Sequence, residues 1–187
     1  ILARHPATAR FIATKLARRF VADTPPRALV DRAAARFKET DGNIREVVRT
    51  IVTSPEFFAA DARRAKVKTP FEFVVSAVRA TGAEVSDAMA LAQAVRTLGM
   101  PLYMCQPPTG YADRAEAWVN TGALLNRMNF ALQLVGGKMR GVQPGTAPAA
   151  DALAHDVSET TAATIAKATD PTQVTALTLG SPEFQRR

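Results

Sequence analysis

The segment DGNIREVVRTIVTSPEF, residues 41–57, is a helix with its own start and stop signals. Asp41-Gly42 is a turn dipeptide. Asn43 then stands at the cap position with Glu46 three residues on, the spacing of a capping box. Ile44, Val47, Val48 and Ile51 fall on one face at the helical period. Ser54-Pro55 follows, and Pro is welcome at the first helical position because its missing N–H is not needed there. This predicts a further short helix carrying Phe57 and Phe58.

The same start signal recurs at Thr24-Pro25, Thr69-Pro70, Asp170-Pro171 and Ser181-Pro182, with His5-Pro6 as a weaker version. A first helix is predicted from Pro6 to Val21, with Ala9, Ile12, Leu16 and Phe20 as its apolar stripe. A second opens at Pro25 and buries Leu29, Ala33 and Phe37. Thr69 and Glu72 form a second capping box ahead of Phe71, Val74, Val75 and Val78, and that helix stops at Gly82. Ser86 begins another, with Ala88, Leu91, Val95 and Leu98 inside and Gly99 ending it. A long central helix is predicted from about Asp113 to Val135. Its core stripe is Trp118, Leu125, Met128 and Leu132, and Glu116, Asn120 and Arg127 share a polar face.

The expected fold is therefore all-α: an irregular bundle of about eight to nine short helices, with one long central helix and a Pro-rich loop. Abundant Ala and only 6% aromatic residues agree with that class. The predicted organisation is a helical domain over 1–135, a Pro/Gly-containing linker over 136–150, and a helical tail over 151–187 packing on the domain. Residues 54–57 and 181–184 both read SPEF. Asn43 and Asp170 precede them at the same distance, which reads either as shared helix grammar or as a duplicated unit.

Met100–Tyr111, MPLYMCQPPTGY, lacks a helical period and is an apolar loop. Such a loop packs under something or forms a binding surface. Cys105 is the only cysteine, so no internal disulfide exists, and a lone Cys is usually a small buried hydrophobe. The net charge of +7 is uneven: residues 1–80 hold sixteen Lys/Arg against eight Asp/Glu, and residues 81–187 eight against nine. The basic first helices could meet phosphate or nucleic acid, or could be a solvated face. No helix-turn-helix signature or stacking platform accompanies them, so nucleic acid is an unlikely partner.

Chemistry-bearing patterns are sparse. Two His and one Cys with no HxxxH or CxxC leave no metal site to assign. GxSxG and phosphate-cradling Gly loops are missing as well, so no catalytic residue and no cofactor is assigned. No run of eighteen apolar residues occurs, so no transmembrane segment is expected.

HPATARFIATKLARRFV (5–21), DGNIREVVRTIVTSPEF (41–57), KVKTPFEFVVSAVRA (66–80), LGMPLYMCQPPTGY (98–111) and AWVNTGALLNRMNFAL (117–132) occur in this order. Together they resemble the C-terminal half of the bacterial family known as domain of unknown function 1800. The resemblance implies a mostly helical protein, often exported and so periplasmic or extracellular, and often encoded beside another exported protein. It implies no activity. Relatives often carry Trp and a Gly pair after the Pro-Pro segment, where this chain has Tyr111-Ala112-Asp113. The start at Ile1 is read as a boundary with sequence missing upstream.

Two functions are expected from this reading. The first is a non-catalytic binding or scaffold module of an exported envelope protein. Its partners would be the missing N-terminal half or another exported protein. The second is part of an enzyme whose site the N-terminal half completes. Candidate ligand- or partner-binding residues are His5, Arg10, Tyr103, Gln106, Pro107, Pro108, Tyr111, Trp118, Asn120 and Arg127.

Overall fold

A computed structural model describes residues 2–147, 149–153 and 156–187. The chain is all-α: eight α-helices and a single two-residue ladder are seen among the described residues. The helices are α1 (Pro6–Phe20), α2 (Arg27–Glu39), α3 (Ile44–Val52), α4 (Pro70–Ala80), α5 (Met89–Thr97), α6 (Thr121–Val135), α7 (Glu159–Ile165) and α8 (Pro171–Gly180). Strands β1 (Glu84–Val85) and β2 (Val142–Gln143) pair antiparallel. The residues group into two compact units, Ile1–Lys66 and Val67–Arg187.

In the first unit, α1 packs chiefly on α2, and α2 on α3. The buried stripe of α1 is Ala9, Ala13 and Ala17, not the larger residues the period suggests. Ile12 and Leu16 are only half-buried, and Phe20 is exposed. Small side chains at i, i+4 and i+8 let the helix axes approach, and the larger neighbours flank the seam. Leu29, Val30, Ala33 and Phe37 of α2 and Val47 and Ile51 of α3 complete this core. Asn43 caps α3, accepting from the amides of Arg45 and Glu46 at 3.1 and 3.4 Å, but Glu46 does not complete the box: the Asn43 amide donates to the Thr40 carbonyl and the Glu46 carboxylate takes Arg36 and Arg49. Thr24 does not cap α2, which starts at Arg27, two residues after the expected Pro25, with no side-chain cap. Residues 54–64 form successive turns rather than a fourth helix. Ser54 still accepts from the Phe57 amide at 3.2 Å, so its capping chemistry closes a turn that does not propagate.

Arginine–carboxylate pairs hold the surface of this unit. Glu46 accepts from Arg36 and Arg49, both at 2.8 Å, and Glu56 accepts from Arg32 at 2.6 Å. The Arg36 hydrogen bond holds the Glu46 carboxyl below its ordinary 4.5, and Arg32 does the same for Glu56. A carboxyl whose folded value is depressed contributes stability above its unfolded value and loses it as pH falls through the folded one. Thermal unfolding followed by circular dichroism should therefore show Tm falling below about pH 4.5. In Glu46→Gln/Glu56→Gln that acid slope should be smaller, and added salt should also flatten it. An acid slope identical in the double variant would show that these pairs do not contribute.

In the second unit, Phe73, Val74, Ala77, Phe130, Ala131, Leu134, Leu179 and Phe184 form the centre of the core. The Thr69–Glu72 capping box of α4 is present in both directions. Phe71 and Val75, expected inside α4, face outward, because Phe73, Val74 and Ala77 occupy its buried side. α6 packs on α8. A side chain at Gly180 would require the flexible end of Met128 to shift. The segment read as a linker, 136–150, supplies Met139, Val142 and Ala149 to this same core. Asp170 caps α8 as expected. Ser181-Pro182 opens turns and not a helix.

Both SPEF segments use the same contacts. Ser181 accepts from the Phe184 amide at 3.1 Å, as Ser54 does from that of Phe57. Glu56 reaches α2, and Glu183 accepts from the Ser158 amide and the Thr161 hydroxyl at the start of α7. Each Ser closes a turn after a helix, and each Glu ties that turn to a second helix.

Candidate functional site

The long helix expected from Asp113 is interrupted. Ala115–Ala117 form a short 3-10 turn, and Asn120 is extended at φ −148° and ψ 166°. Its side chain accepts from the Ala123 amide at 2.9 Å. A side-chain cap of this kind starts a helix afresh, so α6 begins at Thr121. Asn120-Thr121 carried that signal in the sequence, since Asn is a favoured cap and a poor interior residue.

Glu116, Asn120 and Arg127 consequently share no face. Glu116 is exposed, Asn120 is a cap, and Arg127 is 2% exposed. The Arg127 guanidinium donates to Gln185 Oε1 and to the Lys68 carbonyl, each at 2.7 Å. It lies 5.1 Å from the Phe73 ring centre. Gln185 in turn donates to the Leu179 carbonyl at 2.9 Å, and its own carbonyl accepts from the Lys68 amide at 2.8 Å. Burial pulls the Arg127 guanidinium down to about 10, which still leaves it protonated at neutral pH. Arg127 thus braces the C-terminal segment against the start of α4 and α6, with its donors directed at protein acceptors.

The Pro-rich loop is tied to itself. Tyr111 donates to the Pro101 carbonyl at 2.5 Å, and Trp118 Nε1 donates to the Ala112 carbonyl at 2.9 Å. The two rings lie 6.1 Å apart at 58°. Partial burial, and then nearby Cys105, raise the Tyr111 phenol above its ordinary value, so it remains a donor at neutral pH. Arg187 lies 3.8 Å from Asp113 and 3.1 Å from Glu72. Gln106, Pro107 and Pro108 are exposed on this loop, as are Leu102 and Met104. Tyr103 is fully exposed at φ 59°, a left-handed conformation uncommon for a non-glycine residue.

His5 and Arg10 belong to the first unit. His5 is the N-cap of α1, its Nδ1 accepting from the Ala7 amide at 3.2 Å. Arg10 pairs with Asp31 at 2.6 Å. Arg4, Arg32, Arg36 and Arg49 also pair with carboxylates, so several basic side chains of this unit have a local partner while its net charge stays positive. His155, the second histidine, lies outside the described residues.

Of the ten candidates, Tyr111 and Trp118 bring their rings together. The feature the period misassigned is the outer face of α6. Leu125 and Leu132 are 60% and 53% exposed, and Leu124 is exposed beside them. The buried residues of α6 are instead Arg127, Phe130, Ala131 and Leu134. Its other exposed residues are Thr121, Gly122, Asn126, Asn129 and Gln133, so its exposed face carries no charge. A solvated surface ordinarily mixes both signs at roughly a quarter to a third of its positions. Depletion of charge around exposed apolar side chains marks the centre of protein interfaces.

Among the described residues no helix is long and apolar enough to cross a membrane. A family model described as protein of unknown function (DUF1800) matches residues 1–186. No curated protein and no solved structure matches the chain.

Proposed function

The chain belongs to the DUF1800 family, and we propose that it serves as a non-catalytic helical binding or scaffold module. The observation that carries this reading is the uncharged outer face of α6, with Leu124, Leu125 and Leu132 exposed on it. Leu125, Met128 and Leu132 follow the 3–4 spacing of a helix-packing seam. The polar candidates give no comparable support for catalysis: Arg127, Asn120 and His5 are each engaged with protein acceptors or amides. The partner is a protein surface. Its two candidates are the N-terminal part of the family's domain and a second exported protein, in the cell-envelope setting that the family resemblance implies.

Pull-down with the full-length protein tests this. The wild type should retain a protein in stoichiometric amount, and Leu125→Glu/Leu132→Glu should lose it, because two charges would be buried unpaired in the contact. Both leucines are exposed, so the substituted chain should keep its native circular dichroism. Retention of the partner by the double variant would remove this face from the account. A bound small molecule with no protein partner would instead favour an active site completed by another part of the protein.

A further inference from the structure

Beside the leucine strip, a groove of about 400 Å³ runs between α5 and α6. Leu98, Phe130 and Met139, all buried, underlie it. Asn126, Asn129 and Gln133 line its α6 side, and Gln93 lines the α5 side. These four exposed amides make no side-chain hydrogen bond to another described residue. Lys138 and Arg140 also line the groove, just beyond the C-terminal end of α6, and neither forms an ion pair with another described residue. No acidic side chain lines it.

Resting on the proposed binding function, we infer that this groove takes an extended peptide segment of the partner, bearing an acidic residue where it meets Lys138 and Arg140. Each carboxamide offers a donor pair and an acceptor, matching the N–H and C=O of a peptide backbone. Asn126 to Gln133 spans about 10 Å along the helix, roughly three residues of extended chain. An extended segment directs alternate side chains to opposite sides, so one set enters against the half-buried Ala90 and Ala94 of α5 while the other meets solvent or the leucine strip. The cations set the polarity of docking, since no acidic side chain in the lining competes for them. A sugar would also satisfy amides, but the one aromatic residue in the lining, Phe130, is only 5% exposed and offers no ring face for a sugar to stack on.

The test is selection of phage-displayed random linear peptides on the whole chain, with a glycan panel in parallel. Selected peptides should share alternating apolar residues with Asp or Glu toward one end. In fluorescence anisotropy, Asn126→Leu/Asn129→Leu should weaken a selected peptide about tenfold, the order expected from one or two lost hydrogen bonds. Reselection on Lys138→Glu/Arg140→Glu should exchange the acidic preference for a basic one. An unchanged preference, or glycan binding with no peptide enriched, would overturn the inference. Partner capture separates it from the broader reading. If the amide and charge variants retain the partner while the leucine variant loses it, the groove inference fails and the binding function stands. If the wild type captures no partner, the binding function itself fails.

Discussion

Arg127→Ala is expected to destabilise the chain by about 3 kcal/mol or more, read as a fall in the urea midpoint. The substitution leaves the Lys68 carbonyl and Gln185 Oε1 without their donor, and each orphaned buried acceptor costs about 1–3 kcal/mol. It also removes a buried guanidinium that lies 5.1 Å from the Phe73 ring centre. Relief of the buried charge offsets part of this loss, which keeps the total below the simple sum. Arg127→Lys distinguishes the brace from generic positive charge. A compact ammonium lacks the planar fork that reaches two acceptors at once, so Lys should recover only part of the stability. An exposed arginine would change stability by less than about 0.5 kcal/mol on either substitution, and that result would contradict the brace.

Phe184→Ala should cost about 3–5 kcal/mol, the range for a large aromatic removed from a core. Its ring is 2% exposed and meets Phe73 edge-on at 6.0 Å. Lys68 Nζ lies 3.9 Å from the ring centre, a cation–π contact that the substitution also removes. The two SPEF segments supply an internal comparison. Phe57 is only half-buried and packs against the first core from its margin, so Phe57→Ala should cost about 1 kcal/mol. Equal losses at the two positions would mean that the segments are anchored alike, contrary to the difference in burial.

Helix starts were legible where the cap is a side chain acting within three residues. Asn43, Thr69 and Asp170 all cap as their spacing predicts. Ser54 and Ser181 show the limit of that reading. Their hydroxyls make the capping bond, yet the residues that follow turn back into the two cores instead of extending. Cap chemistry specifies a first turn and does not by itself make more turns follow, whether the Phe is half-buried, as at Phe57, or fully buried, as at Phe184. The α6 stripe failed for a different reason. Periodicity identifies a face with many apolar residues, but on this helix two faces qualify. Phe130, Ala131 and Leu134 take the core, and Leu125 and Leu132 remain outside. Arg127 reads as surface in any hydropathy scheme, and only the carbonyl of Lys68 and the amide of Gln185, each more than fifty residues distant, make its burial possible. The proposed contact face lies apart from the polar candidates, on apolar side chains that the sequence assigns to the interior.

The most direct measurement is photo-crosslinking from the outer face of α6 inside the producing cells. A photoreactive residue is placed at Leu125 or Leu132 in the full-length protein, with exposed Thr164 of α7 as the control position. The binding account predicts one discrete adduct, or one defined crosslink within the same polypeptide, from both leucine positions and none from Thr164. Absence of any adduct at Leu125 and Leu132, or the same pattern from Thr164, would contradict it.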